Sequence, residues 1–173
     1  MRTNVFALAL ATSIVAGGAL AGEGDSVVPL SRPLLALDGS EVRLTDFEDR
    51  DVVVSFTIVN CTQICLTSDL VMDQVAARAR AQGKDVALLT LTLDPLQDTP
   101  ELLAHETRER GLDADRTFLT GTFSNVVSVL ASVGIHDRSI EGHPVMFLVK
   151  RKGERAYRKI ERSIGPETIV GAL

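Results

Sequence analysis

Cys61 and Cys65 are the only two cysteines in the 173-residue chain, and they fall within one five-residue stretch. Two thiolates can hold a soft metal ion, and the same two sulfurs can close a disulfide and exchange it with another thiol. If both lie on one helical turn, a separation of four rotates the chain by about 400°. The sulfurs then sit about 40° apart on one face and can converge. A helix N-terminus adds unpaired amides and a dipole that favour thiolate over thiol. The plainer readings are two buried, inert cysteines or a purely structural bridge, although so short a loop constrains an unfolded chain little. Of the three histidines, His105 lies among Glu101, Glu106 and Arg108, and His136 follows Gly134-Ile135 in a polar loop. Both are expected on the surface. His143 immediately precedes Pro144 and the apolar run Val145 to Val149, at a sheet edge where ligands reach. As a ligand it would complete a three-donor copper site with the two thiolates; as a loop residue it would not. The residues alone leave both readings of His143 open.

The elements that must position these groups are legible from periodicity and turn chemistry. Leu34 to Leu37, then Asp38-Gly39, then Val42 to Leu44 is the pattern of a β-hairpin. Val52 to Val59 is dominated by β-branched residues, as in a strand buried on both faces. Leu66, Leu70, Val71, Val75 and Ala79 recur at mostly helical intervals and predict a helix to about Gln82-Gly83, so the cysteines sit at a strand-to-helix junction. A second central strand is expected over Val86 to Leu93. Thr99-Pro100-Glu101 opens a helix running to Arg110-Gly111. Phe118-Leu119 is a short strand, Val126 to Val133 a third helix ended by Gly134, and Val145 to Val149 a third core strand. Lys152-Gly153-Glu154 turns that strand into an outer one through Ile160, and Pro166 opens a last short helix. Strands alternating with helices predict an α/β domain: a central mixed sheet, parallel through its middle, with helices on both faces and an antiparallel N-terminal hairpin at one edge. The order is similar to that of thioredoxin-like folds, which keep a cis-proline loop before a core strand; His143-Pro144 stands at that place.

Composition narrows the function. Lys+Arg 18 against Asp+Glu 23 gives a net charge of -5, and there is no tryptophan. This argues against a nucleic-acid groove, a base-stacking platform or a polybasic membrane surface. Two cysteines are too few for a disulfide scaffold or a four-thiolate zinc site. Arg2, the apolar run Val5 to Ala16 and the small-x-small Ala19-Leu20-Ala21 predict a signal peptide over residues 1–21 and a folded domain over 22–173. The expected compartment is a periplasm or another oxidising space, with a retained, membrane-anchored segment facing that space as the alternative. No cysteine follows the run directly, so a lipid anchor has no acceptor there.

Several stretches in this order resemble the SCO/SenC family. Phe56-Thr57, Cys61-x-x-x-Cys65 and Leu66-Thr67 are similar to its Phe-Thr…Cys-Pro-x-x-Cys-Pro-Thr segment, with Thr62 and Leu66 replacing the prolines. Leu93-Asp94-Pro95-x-x-Asp98-Thr99-Pro100 resembles its Val-Asp-Pro-x-x-Asp-Thr-Pro stretch, with Leu96-Gln97 between. Leu119-Thr120-Gly121 resembles its Leu-Thr-Gly, and Gly142-His143 falls where its metal-binding histidine stands, followed here by Pro144. The resemblance covers roughly Pro29 to Ile169. It implies a thioredoxin-like fold and a metallochaperone binding Cu(I) or Cu(II) through Cys61, Cys65 and His143. The copper would go to the copper-accepting subunit of cytochrome c oxidase or to another copper enzyme.

A different function uses the same sulfurs as an enzyme. In a thiol-disulfide oxidoreductase Cys61 would attack a partner's disulfide and Cys65 would resolve the mixed intermediate. Reduction of a copper enzyme's cysteines would unite the two readings, and either needs a periplasmic thiol reductant. A third reading is an exported interaction domain with a vestigial site. Asp94 and Asp98 are expected to serve helix capping and loop hydrogen bonds. Delivery of a metal by ligand exchange requires the site to lie exposed at the domain surface.

Overall fold

The computed structural model describes residues 25–59, 61, 64–112, 115–136, 145–161 and 164–173. The expected signal segment, His143 and Pro144 lie outside the described residues. Eight strands form one sheet: β1 (Ser26–Val27), β2 (Leu34–Ala36), β3 (Glu41–Val42), β4 (Asp51–Thr57), β5 (Val86–Thr92), β6 (Arg116–Thr120), β7 (Phe147–Lys150) and β8 (Tyr157–Ile160). Four helices accompany them: α1 (Ile64–Ala81), α2 (Pro100–Glu109), α3 (Phe123–Ser132) and α4 (Pro166–Ala172). The spatial order is β1-β8-β7-β4-β5-β6-β2-β3. The sheet is mixed, as expected: β4-β5 and β5-β6 run parallel, and the other five pairings are antiparallel. Helical crossovers through α1 and α2 enforce the parallel centre. The chain then returns after α3 to lay β7 antiparallel on the free edge of β4.

Side chains alternate across this sheet and feed two cores. On one face Val53, Leu88, Phe147 and Val149 pack with Val71, Met72, Val75 and Ala76 of α1 and with Ile169 and Val170 of α4. On the other, Val52, Val54, Phe56, Leu89, Leu91 and Leu119 pack with Val126, Val129 and Leu130 of α3. Helices therefore cover both faces, as the patterning predicts. Thr99 caps α2 by accepting the Leu102 N–H at 3.3 Å, and Gly83, with φ 65°, ends the turn after α1.

Two expected boundaries shift for local reasons, and one further strand, β1, forms where none is expected. Leu44 leaves the hairpin strand and enters a 3-10 turn over Leu44–Asp46, because the Asp46 carboxylate takes the Arg43 N–H at 2.8 Å. Leu44 still reaches the core, so its apolar character matches a strand and a turn equally. β4 stops at Thr57 instead of Val59, where the backbone turns toward Cys61. β1, two residues long, falls in the stretch ahead of the hairpin; it adds to β8 through Ser26↔Arg158 and Val27↔Tyr157.

Buried polar groups lock the frame. Lys150 is 2% exposed, and its Nζ donates to the carbonyls of Phe47, Arg50 and Arg151 at 2.8, 3.1 and 3.2 Å. Asp69 of α1 pairs with Arg116 of β6 at 2.8 Å and with Arg110 just beyond α2, tying both elements to one helix. The Arg116 guanidinium also lies 4.8 Å from the Phe118 ring centroid. The Tyr157 hydroxyl donates to the Leu44 carbonyl at 2.7 Å, and burial pushes its pKa well above the usual tyrosine range.

Two stability outcomes follow from these contacts. Asp69→Ala leaves the Arg116 guanidinium buried without its carboxylate and is expected to cost about 3–5 kcal/mol. Tyr157→Phe removes one hydrogen bond and is expected to cost about 1–1.5 kcal/mol. Urea unfolding at unchanged slope measures both, and a smaller loss for Asp69→Ala than for Tyr157→Phe would contradict the ranking.

Candidate functional site

At the C-terminal end of β4 the chain makes a tight turn in which the Cys61 N–H donates to the Ile58 carbonyl at 3.2 Å. Four residues later Cys65 occupies the first turn of α1, on the face that also carries the buried Asp69 and Met72. The structure joins the two residues in a disulfide with a Cα–Cα distance of 5.7 Å. The Cys65 N–H, one of the helix amides without an intrahelical acceptor, donates to the Cys61 sulfur at 3.3 Å.

Both residues are buried, Cys61 5% exposed and Cys65 1%. The expectation of a surface-exposed pair does not hold for this oxidised form. Cys65 follows the inward face of α1, and Cys61 is bonded to it. Cys61 is the outer of the two, as its position nearer the strand end suggests.

Behind the pair, the sheet face toward α1 carries hydroxyls where aliphatic side chains would be expected. Ser55 and Thr90 hydrogen-bond to each other at 2.8 Å. The Thr92 hydroxyl donates to the Asp98 carboxylate, which also accepts the Val59 N–H, with both oxygens at 3.3 Å. The Thr120 hydroxyl donates to the Asp98 backbone carbonyl at 2.7 Å. Asp98 is fully buried, and that burial raises its carboxyl above the ordinary range against the opposing hydrogen bonds from Thr92 and Val59. Its side chain therefore links two loops, while capping of α2 falls to Thr99. Asp94 serves the loop between them: its N–H donates to the Thr92 hydroxyl at 3.0 Å and its carboxylate accepts the Leu96 N–H at 3.2 Å.

His105 on α2 and His136 after α3 are both exposed, as expected from their neighbours. Among the described residues no third histidine, cysteine, aspartate or glutamate joins the sulfurs in a group that could hold a metal ion. Whether an imidazole joins them rests on His143, which lies outside those residues. Two sulfurs at a helix start suit a soft cation such as Cu(I) once reduced, because a disulfide offers no thiolate. Among the described residues no helix is long and apolar enough to cross a membrane. The residue that periodicity and composition do not single out is Val59, whose part is played by its backbone N–H.

Comparison with known proteins places this geometry. None of the curated proteins matches the chain. Solved structures match over most of its length. Copper-bound yeast Sco1 is 21% identical with a TM-score of 0.71, the match covering 86% of this chain and 90% of that one. The Bacillus protein BsSco, described as a member of the Sco family of cytochrome c oxidase assembly proteins with a disulfide switch, is 20% identical with a TM-score of 0.69. That match covers 86% of this chain and 93% of that one. Copper-bound ScoI of Bradyrhizobium japonicum is 16% identical with a TM-score of 0.65, covering 83% of this chain and 96% of that one. These likenesses establish the thioredoxin-like Sco fold. The SCO1/SenC family model matches residues 33–170, well over half of the sequence, and the chain with its Cys61–Cys65 pair at the head of α1 belongs to that family.

Proposed function

We propose that this protein binds copper in its reduced form through Cys61, Cys65 and His143, and passes it to the copper-accepting subunit of cytochrome c oxidase or another copper enzyme. One observation carries the reading most directly. The fold brings the only two sulfurs capable of thiolate chemistry together at the N-terminus of α1. Membership of the SCO1/SenC family and the copper-bound yeast and Bradyrhizobium relatives support it. The metal is cargo here. Two soft thiolates favour Cu(I), and ligand exchange with a docked acceptor moves it on.

Loading requires the disulfide to open first. A periplasmic thiol reductant supplies two electrons and two protons to give the dithiol, and copper then displaces the thiol protons. The Cys65 amide beside the Cys61 sulfur makes Cys61 the favoured thiolate and therefore the first sulfur to engage either a metal or a partner. The buried position of the closed pair implies that the Cys61 turn moves outward during transfer. In this reading residues 1–21 act as an export signal and 22–173 as the periplasmic domain, held at the membrane only through a partner or an uncleaved signal.

The oxidoreductase reading draws on the same bridge and on the disulfide switch described for the Bacillus relative. There Cys61 is the attacking thiolate and Cys65 the resolving one.

Anaerobic Cu(I) titration of the reduced chain separates the two. The wild type is expected to take up one equivalent and Cys65→Ser to lose the stoichiometric site. His143→Ala is expected to weaken binding by more than about 100-fold, beyond what loss of an outer-shell partner costs a metal site. Unchanged affinity in His143→Ala, together with turnover of a disulfide substrate, would replace the chaperone reading with the enzyme.

A further inference from the structure

We propose that Asp98 is a positioning residue for Cys61, its buried carboxylate holding the Val59 N–H and thereby the turn that presents the Cys61 sulfur to Cys65. The need arises where β4 ends. On the β5 side the ladder of β4 ends with the Leu93 N–H, which donates to the Thr57 carbonyl at 2.8 Å. Val59 lies beyond that ladder yet is only 8% exposed, so its N–H requires a partner inside the protein. The Asp98 carboxylate supplies it symmetrically, with both oxygens at 3.3 Å. Next to Val59, the Ile58 carbonyl accepts the Cys61 N–H at 3.2 Å, so the clamped segment and the cysteine belong to one turn.

Asp98 is held rigidly enough to serve as an anchor. The Thr92 hydroxyl fixes its carboxylate and the Thr120 hydroxyl its backbone carbonyl at 2.7 Å, so the last residues of β5 and β6 both contribute. Asp98 forms no ion pair with any described residue and does not cap α2. Burying a carboxylate is costly unless its donors are well placed, and the backbone amide that this one accepts lies two residues before Cys61.

The consequence is thermodynamic. In the disulfide the Cys61 turn is held by the covalent bond, whereas in the dithiol only the clamp limits its freedom. Removing the clamp therefore loosens the dithiol more than the disulfide and shifts the equilibrium toward the dithiol. This inference rests on the Cys61–Cys65 pair being the working group of the proposed function. It is tested without copper, so its failure and a failure of metal binding are separate results.

The measurement equilibrates the full chain with glutathione: protein disulfide plus two glutathione thiols gives protein dithiol plus one glutathione disulfide. Alkylation traps the two protein forms for counting. Asp98→Ala is expected to shift this equilibrium toward the dithiol by three- to tenfold, tenfold being about 30 mV. Asp98→Asn keeps an acceptor for Val59 and a partner for Thr92, and is expected to stay within twofold of wild type. Tyr157→Phe, which lowers stability away from the site, is expected to do the same. A shift below threefold in Asp98→Ala, or an equal shift in Tyr157→Phe, overturns the proposal. If Asp98→Ala does not fold, Thr92→Val, which frees the carboxylate to leave Val59, carries the test against the same threefold line.

Discussion

Seven consecutive parallel pairs, from Asp51↔Val86 to Thr57↔Thr92, level the C-terminal ends of β4 and β5. Both strands therefore release their loops at the same height, and everything with chemical potential in the described structure gathers there. The β4 loop carries Cys61 into α1, and the β5 loop carries Asp94 and Asp98 into α2. A slip of one residue in this register would turn Thr92 to the opposite face and separate its hydroxyl from Asp98. Open parallel sheets place ligand sites at the carboxyl edge of their strands because that is where connecting loops converge, and the Cys61–Cys65 pair lies at that edge.

Among the described residues the buried charged groups are Lys150, Asp69 with its partner Arg116, and Asp98, and they are satisfied in different ways. Lys150 has no carboxylate against its ammonium group. Three backbone carbonyls surround it instead, and burial holds it below the ordinary lysine range while Asp51, Glu154, Glu48 and Asp49 oppose that shift. Asp69 is matched by two guanidiniums and fastens α1 to β6 and to the end of α2. Asp98 has neither, only hydroxyl and amide donors from loops and strand ends. Lys150 ends β7, and Asp69 lies on α1 and fastens it to β6. Asp98 instead holds the segment leading to the Cys61 turn, and its donors are neutral.

Much of the frame was legible in the residues. β-branched runs marked β4 and β5, Thr99-Pro100 marked the start of α2, and the spacing of the two cysteines announced a convergent pair. What escaped was information that periodicity does not carry. The two residues of β1 are too few to show alternation, and their place depends on β8, more than a hundred residues later. The antiparallel docking of β7 on β4 is a choice of sheet edge, which local pattern leaves open. Val59 was assigned to the strand because a β-branched residue at its end fits a strand and a tethered turn alike. Asp98 reads from the sequence as a residue for helix capping and loop hydrogen bonds. Only the tertiary position of Val59 shows which loop it holds.

The buried disulfide bears on how the two proposed activities relate. A closed pair has no free thiolate, so the oxidised protein can neither hold copper on these sulfurs nor attack another disulfide. Both activities begin at the dithiol and compete for one thiolate, the Cys61 sulfur beside the Cys65 amide. The balance between bridge and dithiol therefore governs each of them equally, and any residue that sets it acts upstream of both. In the disulfide form both sulfur-bearing residues are buried. Metal loading and thiol exchange then differ only in what reaches the Cys61 turn first.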